Sequence, residues 1–174
     1  MLKEKIRTIQ NFPKKGVMFR DVTTLFKDPL GFKLCIEDMH KEFKNERIDV
    51  VVGIESRGFI IGGALAHLLG VGFVPVRKEG KLPAEKEREE YELEYGSGVL
   101  EMHKDGIVKN QQVLIVDDLI ATGGTALATA KLVEKCGGKV EAFSFIVNLP
   151  DLGGSVKLKK AGYKIYAQVQ FEGQ

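Results

Sequence analysis

The residues best suited to chemistry stand in one run, Val113-Leu-Ile-Val-Asp117-Asp118-Leu119-Ile-Ala121-Thr122-Gly123-Gly124-Thr125. An apolar stretch leads into two carboxylates, and a turn of small and hydroxylated residues then opens a helix. Ala121-Thr122-Gly123-Gly124-Thr125 can offer consecutive backbone N–H groups and two hydroxyls to an anion, at the positive end of a helix dipole. This is a phosphate cradle. It is not a Walker loop, because the chain holds no GxxxxGK[ST], and Gly96-Ser97-Gly98 lacks the third glycine of a dinucleotide fingerprint. Ionised Asp117 and Asp118 accept hydrogen bonds from sugar hydroxyls. On a continuing strand the two would point to opposite faces and could not easily chelate one metal together. At a strand end turning into a loop, both can face a ligand rich in hydroxyls. A phosphate cradle directly after such acceptors reads as a ribose-5-phosphate site.

Several elements must hold that run in place. Ile48 to Ile54 is a β-branched run typical of a buried parallel strand. A helix over about Arg57 to Leu69, ending at Gly70, and a strand over Phe73 to Val76 follow it. Gln112 to Val116 is a third buried strand, and a helix from about Gly124 to Cys136 closes on Gly137-Gly138. Val140 to Val147 and Lys164 to Val169 are two more strands, separated by a helix near Gly154 to Ala161. Upstream, Lys3 to Gln10 reads as a short helix. Asp28-Pro29 reads as an N-cap with proline at the first helical position, and Phe32, Ile36, Met39 and Phe43 share one face of the helix that follows. Strands alternating with amphipathic helices predict an α/β fold around a parallel sheet, in a single domain over residues 1–174.

Between Arg77 and His103 the pattern changes. Lys78 to Glu90 is densely charged, and Tyr91 to Met102 alternates around Gly96-Ser97-Gly98, which predicts an antiparallel hairpin. The stretch is either a solvated surface excursion or a lid, and polar excursions beside the C-terminal ends of parallel strands are where active-site loops occur.

Composition excludes several classes. A hydrophobic share of 44% with 29% charged residues is that of a globular chain, and a net charge of +2 falls far short of a nucleic-acid-binding surface. Cys35 and Cys136 are far apart, with no CxxC or Cys/His cluster, so neither zinc nor a disulfide framework is expected and a reducing, cytoplasmic setting is. Phe59 to Val76 lacks formal charge, but Gly70 and Pro75 break it into a helix and a strand rather than a membrane span.

The run from Val113 to Thr125 closely resembles the phosphoribosyl pyrophosphate motif of type I phosphoribosyltransferases. Three further segments resemble the adenine branch of that family, in its order and spacing. They are Phe12-Pro-Lys-Lys-Gly-Val-Met18-Phe19-Arg20-Asp-Val-Thr23, Gly53-Ile-Glu55-Ser56-Arg57-Gly-Phe59, and Arg77-Lys-Glu-Gly-Lys81-Leu-Pro83 with Leu93-Glu94-Tyr95-Gly96. The similarity spans roughly residues 4 to 147.

The resemblance implies a helix-flanked parallel sheet with a small N-terminal hood over about residues 1–30 and a hairpin lid over about 78–103. It implies conversion of adenine and phosphoribosyl pyrophosphate to AMP and pyrophosphate, a purine salvage reaction, with Mg²⁺ held mainly by substrate. Phe19 would stack on the adenine ring with Leu119 on its other face, and backbone groups of Met18 and Arg20 would read the purine edge. Asp117, Asp118 and the cradle Ala121, Thr122, Gly123, Gly124 and Thr125 would take the ribose phosphate. Glu55, Ser56 and Arg57 would form the pyrophosphate loop, joined by Arg77 and Lys81, in the family partly from the neighbouring subunit of a homodimer. Glu94 would accept the proton of adenine, with Tyr95 beside it in the lid. A transferase for another base would need a different segment around Phe12 to Thr23. A ligand-sensing regulator on the same fold would carry an added DNA-binding segment.

Overall fold

The computed structural model, which describes residues 1–93 and 96–173, is built around a seven-stranded sheet. A 3-10 turn at Leu2–Lys5 comes first, then β1 (Arg7–Gln10), β2 (Met18–Asp21), α1 (Thr23–Phe26), α2 (Pro29–Phe43), β3 (Val50–Ile54), α3 (Arg57–Leu69) and β4 (Gly72–Lys78). They are followed by β5 (Lys86–Glu92), β6 (Ser97–His103), β7 (Gln112–Ile120), α4 (Gly124–Lys135), β8 (Lys139–Asn148), a 3-10 turn at Pro150–Leu152, α5 (Gly154–Lys160) and β9 (Ile165–Gln170). The sheet order is β5-β6-β4-β3-β7-β8-β9. The five strands from β4 to β9 in that order are parallel neighbours, whereas β6 runs antiparallel to β4 and β5 antiparallel to β6.

Period-two alternation divides the strand residues between two cores. Val50, Val52 and Ile54 of β3 and Val113 and Ile115 of β7 pack with Ala126, Ala130 and Leu132 of α4 and with Leu158 of α5. Val51, Leu114 and Val116 face the other way, against Ile36, Met39 and Phe43 of α2 and Ile61 and Leu65 of α3. The result is three layers, helix on sheet on helix. At the start of α2, Asp28 accepts a hydrogen bond from the Leu30 amide at 3.2 Å, the cap its sequence predicts. No helix of the described residues is long and apolar enough to cross a membrane.

Three segments depart from the sequence reading. Arg7–Gln10 is a strand, not the end of a helix, because it pairs antiparallel with Met18–Asp21 in a separate two-stranded sheet. The guanidinium of Arg7 grips Asp21 across that pair. Lys86–Glu90, within the charged stretch, is also strand, part of β5, which pairs along the whole length of β6. Its charges are answered from neighbouring elements: Glu89 lies 2.6 Å from Lys135 and 3.4 Å from Lys131, both on α4. Finally, β7 continues four residues past Val116, through both aspartates to Ile120.

The N-terminal hood is tied down from the far end of the chain. Arg20 is buried on β2, donates to the Thr8 hydroxyl at 2.7 Å and to the Gly173 carbonyl at 3.3 Å, and lies 4.5 Å over the Phe171 ring. Lys3 lies 4.8 Å over the same ring. Two cation–π contacts of about 0.5–1 kcal/mol each make Phe171 a fastener. Phe171→Ala is expected to destabilise the protein by about 1–2 kcal/mol in urea unfolding, with Phe171→Trp close to wild type. An unchanged midpoint for the alanine variant would show that the ring does not hold the hood.

Candidate active site

Among the parallel strands the order β4-β3-β7-β8-β9 reverses direction at β3 and β7. Ligands of open α/β sheets bind outside the carboxyl ends of the strands at such a switch point. A cavity of about 360 Å³ lies there, lined by the Glu55-Ser56-Arg57 loop after β3 and by residues 117–126 at the end of β7 and the start of α4. Tyr91 and Leu93, from the end of β5, form part of its wall.

Residues 121–123 form a bend that leads into α4 at Gly124. Gly123 takes a left-handed φ of 82° and ends the turn as the N-cap of α4. Among the described residues no side chain caps that helix, and no acidic residue stands in its first turn. The turn is backed by Gly154, whose amide donates to the Ala121 carbonyl at 2.9 Å. A Cβ on Gly154 would lie 2.3 Å from that oxygen and 2.6 Å from the Gly123 nitrogen, so only glycine fits. The sequence reading used Gly154 only as a helix start; the pair Gly153-Gly154 was the available signal. A Cβ on Gly124, by contrast, would point at the Glu92 carbonyl of β5, 3.0 Å away.

Because β7 continues as a strand, Asp117 and Asp118 diverge, yet both line the cavity. Asp118 is buried and pairs with Arg57, whose Nε donates to Oδ2. Burial disfavours the Arg57 charge, but Asp118 outweighs it and the guanidinium is held above its ordinary pKa. Asp117 accepts from the Asp118 amide at 2.9 Å. Burial, reinforced by the neighbouring charge of Asp118, pushes its carboxyl well above the usual carboxylate range. Among the described residues no group of three or more His, Cys, Asp or Glu side chains could hold a metal ion.

Glu55, Ser56 and Arg57 are brought to the cavity as expected, and the Glu55–Ser56 peptide is cis. The Glu55 side chain is already engaged. It accepts from the Lys78 amide at 2.8 Å and from the ammonium of Lys81, and Arg77 Nε stands 3.7 Å away. Burial pushes its carboxyl up, but Lys81 and the Lys78 amide prevail and hold it below its ordinary value. Arg77 also donates to the Lys81 carbonyl at 3.4 Å. Leu119 lies in the cavity wall, whereas Met18, Phe19 and Arg20 on β2, and Arg77 and Lys81 beside Glu55, are outside its lining. The Phe19 ring meets Phe12 edge-on, with centroids 5.2 Å apart. The Arg20 side chain turns to Thr8 and Phe171, which leaves only its backbone for a ligand. Glu94 and Tyr95 lie outside the described residues. Tyr91, Leu93 and Lys78 are lining residues that the sequence reading missed; for Tyr91 the signal was an aromatic opposite Gly98 across the hairpin.

The family described as phosphoribosyl transferase domain matches residues 21–172. An adenine phosphoribosyltransferase of Chlorobaculum parvum is 60% identical over 174 residues, covering 99% of this chain and 98% of the relative. Among solved structures, the adenine phosphoribosyltransferase of Thermoanaerobacter pseudethanolicus superposes with a TM-score of 0.94 at 50% identity, over 98% of each chain. That of Saccharomyces cerevisiae, complexed with an imino-altritol bisphosphate and adenine, does so with a TM-score of 0.90 at 41% identity, over 97% of this chain and 96% of the other. With a cradle, paired aspartates and a basic loop at one switch point, and with relatives this similar over their whole length, the chain belongs to the phosphoribosyl transferase family, in its adenine phosphoribosyltransferase branch.

Proposed function

We propose that the protein transfers the phosphoribosyl group of phosphoribosyl pyrophosphate to adenine, giving AMP and pyrophosphate as a step of purine salvage. The observation that carries this reading is the placement of an uncapped helix start, two carboxylates and Arg57 around one cavity. The cradle receives the 5′-phosphate through backbone amides and the Thr122 and Thr125 hydroxyls. Asp117 and Asp118 accept the ribose hydroxyls, and Arg57 leaves Asp118 for the departing pyrophosphate. Loss of pyrophosphate builds positive charge on the anomeric carbon, so the protein must align adenine and neutralise the leaving group. Arg57, Arg77 and Lys81 supply that charge. Phe19 and Leu119 bracket the base, backbone groups of Met18 and Arg20 read its edge, and Glu94 takes the ring proton while Tyr95 and the rest of the lid exclude water.

The carboxylates present fit a magnesium ion that arrives with its substrate. Among the described residues Glu55, Asp117 and Asp118 are the acids lining the cavity, and no group of three or more could hold a metal, so the ion would depend mainly on substrate oxygens. Mg²⁺ keeps several waters and takes one or two carboxylates beside substrate phosphates. When bound it neutralises charge on the pyrophosphate oxygens. The free thiols of Cys35 and Cys136 suit a reducing cytoplasm.

The working unit is a homodimer. Ile60 and Leu68 on the outer face of α3 are 50% and 45% exposed, while Ile61, Leu65 and Ala66 are buried on its inner face. A helix apolar all round is normally covered on both sides, and a second copy of the chain would cover this one.

Three measurements follow from this reading. Incubating the protein with Mg²⁺, phosphoribosyl pyrophosphate and, separately, adenine, hypoxanthine, guanine and xanthine should yield nucleotide efficiently only as AMP from adenine, with hypoxanthine disfavoured on the order of 10⁴-fold where buried hydrogen-bonding groups go unpaired. Comparable turnover of hypoxanthine would overturn the assignment of the base. Sedimentation velocity should find a dimer that Ile60→Asp converts to monomer with a loss of activity, and a variant that still dimerises would remove α3 from the interface. The third concerns Asp117. Its pKa in the folded state is raised, so the folded protein holds that proton more tightly than the unfolded chain does. Stability is therefore lost as pH rises from the ordinary carboxylate range through the raised value. Asp117→Asn should abolish that loss, widening its Tm advantage toward higher pH by roughly 2–4 °C per kcal/mol, while kcat/KM collapses. Parallel Tm profiles would refute the buried-charge account.

A further inference from the structure

Glu55 is an anomaly in a site built for anions. Asp117 and Asp118 have sugar hydroxyls to bind, but a carboxylate in a pyrophosphate loop would repel the pyrophosphate. The geometry gives this carboxylate another task. Within their ion pair the Glu55 side chain is only 9% exposed, whereas Lys81 is 45% exposed, and Arg77, also paired with Glu55, is 34% exposed. The acid is anchored by the Lys78 amide at 2.8 Å, at the end of β3. Lys81 sits on a long side chain that reaches solvent and can swing away from it, whereas the Arg77 Nε facing Glu55 is buried, 3.7 Å away and without a hydrogen-bond partner among the described residues.

We propose that Glu55 is an internal counter-anion that competes with pyrophosphate for Lys81 and Arg77, and so sets how tightly pyrophosphate is held and how readily it leaves. The inference rests on the reading that these two cations meet pyrophosphate. In the free protein Glu55 neutralises a rim where Arg77, Lys78 and Lys81 crowd together, and keeps the two cations near the loop. Phosphoribosyl pyrophosphate draws them off, because its phosphate oxygens offer more negative charge than one carboxylate. Once the bond to ribose is broken, Glu55 remains within reach and takes the cations back as the product departs. A rim of unopposed cations would instead hold a highly charged product strongly.

The test is calorimetric binding of inorganic pyrophosphate to wild type, Glu55→Gln, Lys81→Ala and the double variant, with AMP as a parallel ligand. Glutamine still accepts from the Lys78 amide but carries no charge. Glu55→Gln is expected to bind pyrophosphate roughly tenfold more tightly, as loss of about 1.4 kcal/mol of competition implies, with a much smaller change for AMP. Lys81→Ala is expected to weaken pyrophosphate binding, and the effect of Glu55→Gln should shrink in that background, because the competition runs through the lysine. Unchanged or weaker pyrophosphate binding by Glu55→Gln, while Lys81→Ala still weakens it, overturns the inference alone. An equal gain with and without Lys81 also overturns it, in favour of plain repulsion between Glu55 and ligand. If Lys81→Ala leaves pyrophosphate affinity untouched, the assignment of these cations to pyrophosphate fails and the inference falls with it. Equal shifts for AMP and pyrophosphate would mark Glu55 as merely structural.

Discussion

The parallel pairing of β3 with β7 is the constraint on which the rest of the site depends. Val50 to Gly53 lie opposite Val113 to Val116, and the loops that follow emerge side by side from one edge of the sheet. One carries Glu55, Ser56 and Arg57, the other the aspartates and the cradle. Arg57 reaches across the seam to Asp118, so the ion pair joins the two loops directly. A shift of one residue in this register would reverse the faces of every strand side chain and separate the two halves of the site. The valine- and isoleucine-rich centres of both strands, buried on both faces, make such a slip costly.

The charges around the cavity are largely paired. Asp118 holds Arg57, and Glu55 holds Lys81 with Arg77 close by. Leaving either buried carboxylate unpaired would be costly, whereas the more exposed cations can bond an anionic oxygen in place of the carboxylate. Asp117 stands apart. It is the acid whose ionisation the fold disfavours, through burial and the adjoining Asp118.

The β5–β6 hairpin joins the sheet itself. β6 pairs with β4 and β5 with β6, so the hairpin continues the central sheet, and Glu89 fastens it to α4, the helix that starts at the cavity. The Tyr91 and Leu93 side of the cavity is therefore mechanically continuous with α4. The contact of Arg20 with Phe171 ties β2 to the segment that follows β9.

What the sequence by itself determined is everything set by short-range pattern. The β-branched runs of β3 and β7, the bounds of α3 from Arg57 to Leu69, the Asp28 cap and the small-residue turn at 121–125 were all legible, because periodicity, capping and turn chemistry are local. So were the two loops, at 55–57 and 117–125, that line the cavity. Tertiary structure decided what depends on partners distant in sequence. Arg7–Gln10 became a strand because Met18–Asp21 offered it a ladder, overriding a helical pattern too short to stand alone. Lys86–Glu90 became a strand because β6 and two lysines of α4 satisfied charges that read as solvated surface. Gly154 emerged as the support of the cradle only once α5 was packed against it, and Glu55 as a partner of Lys81 only once β3 and β4 lay side by side. In each case the deciding interaction joins residues far apart in the chain, and no local pattern records where a distant group will lie.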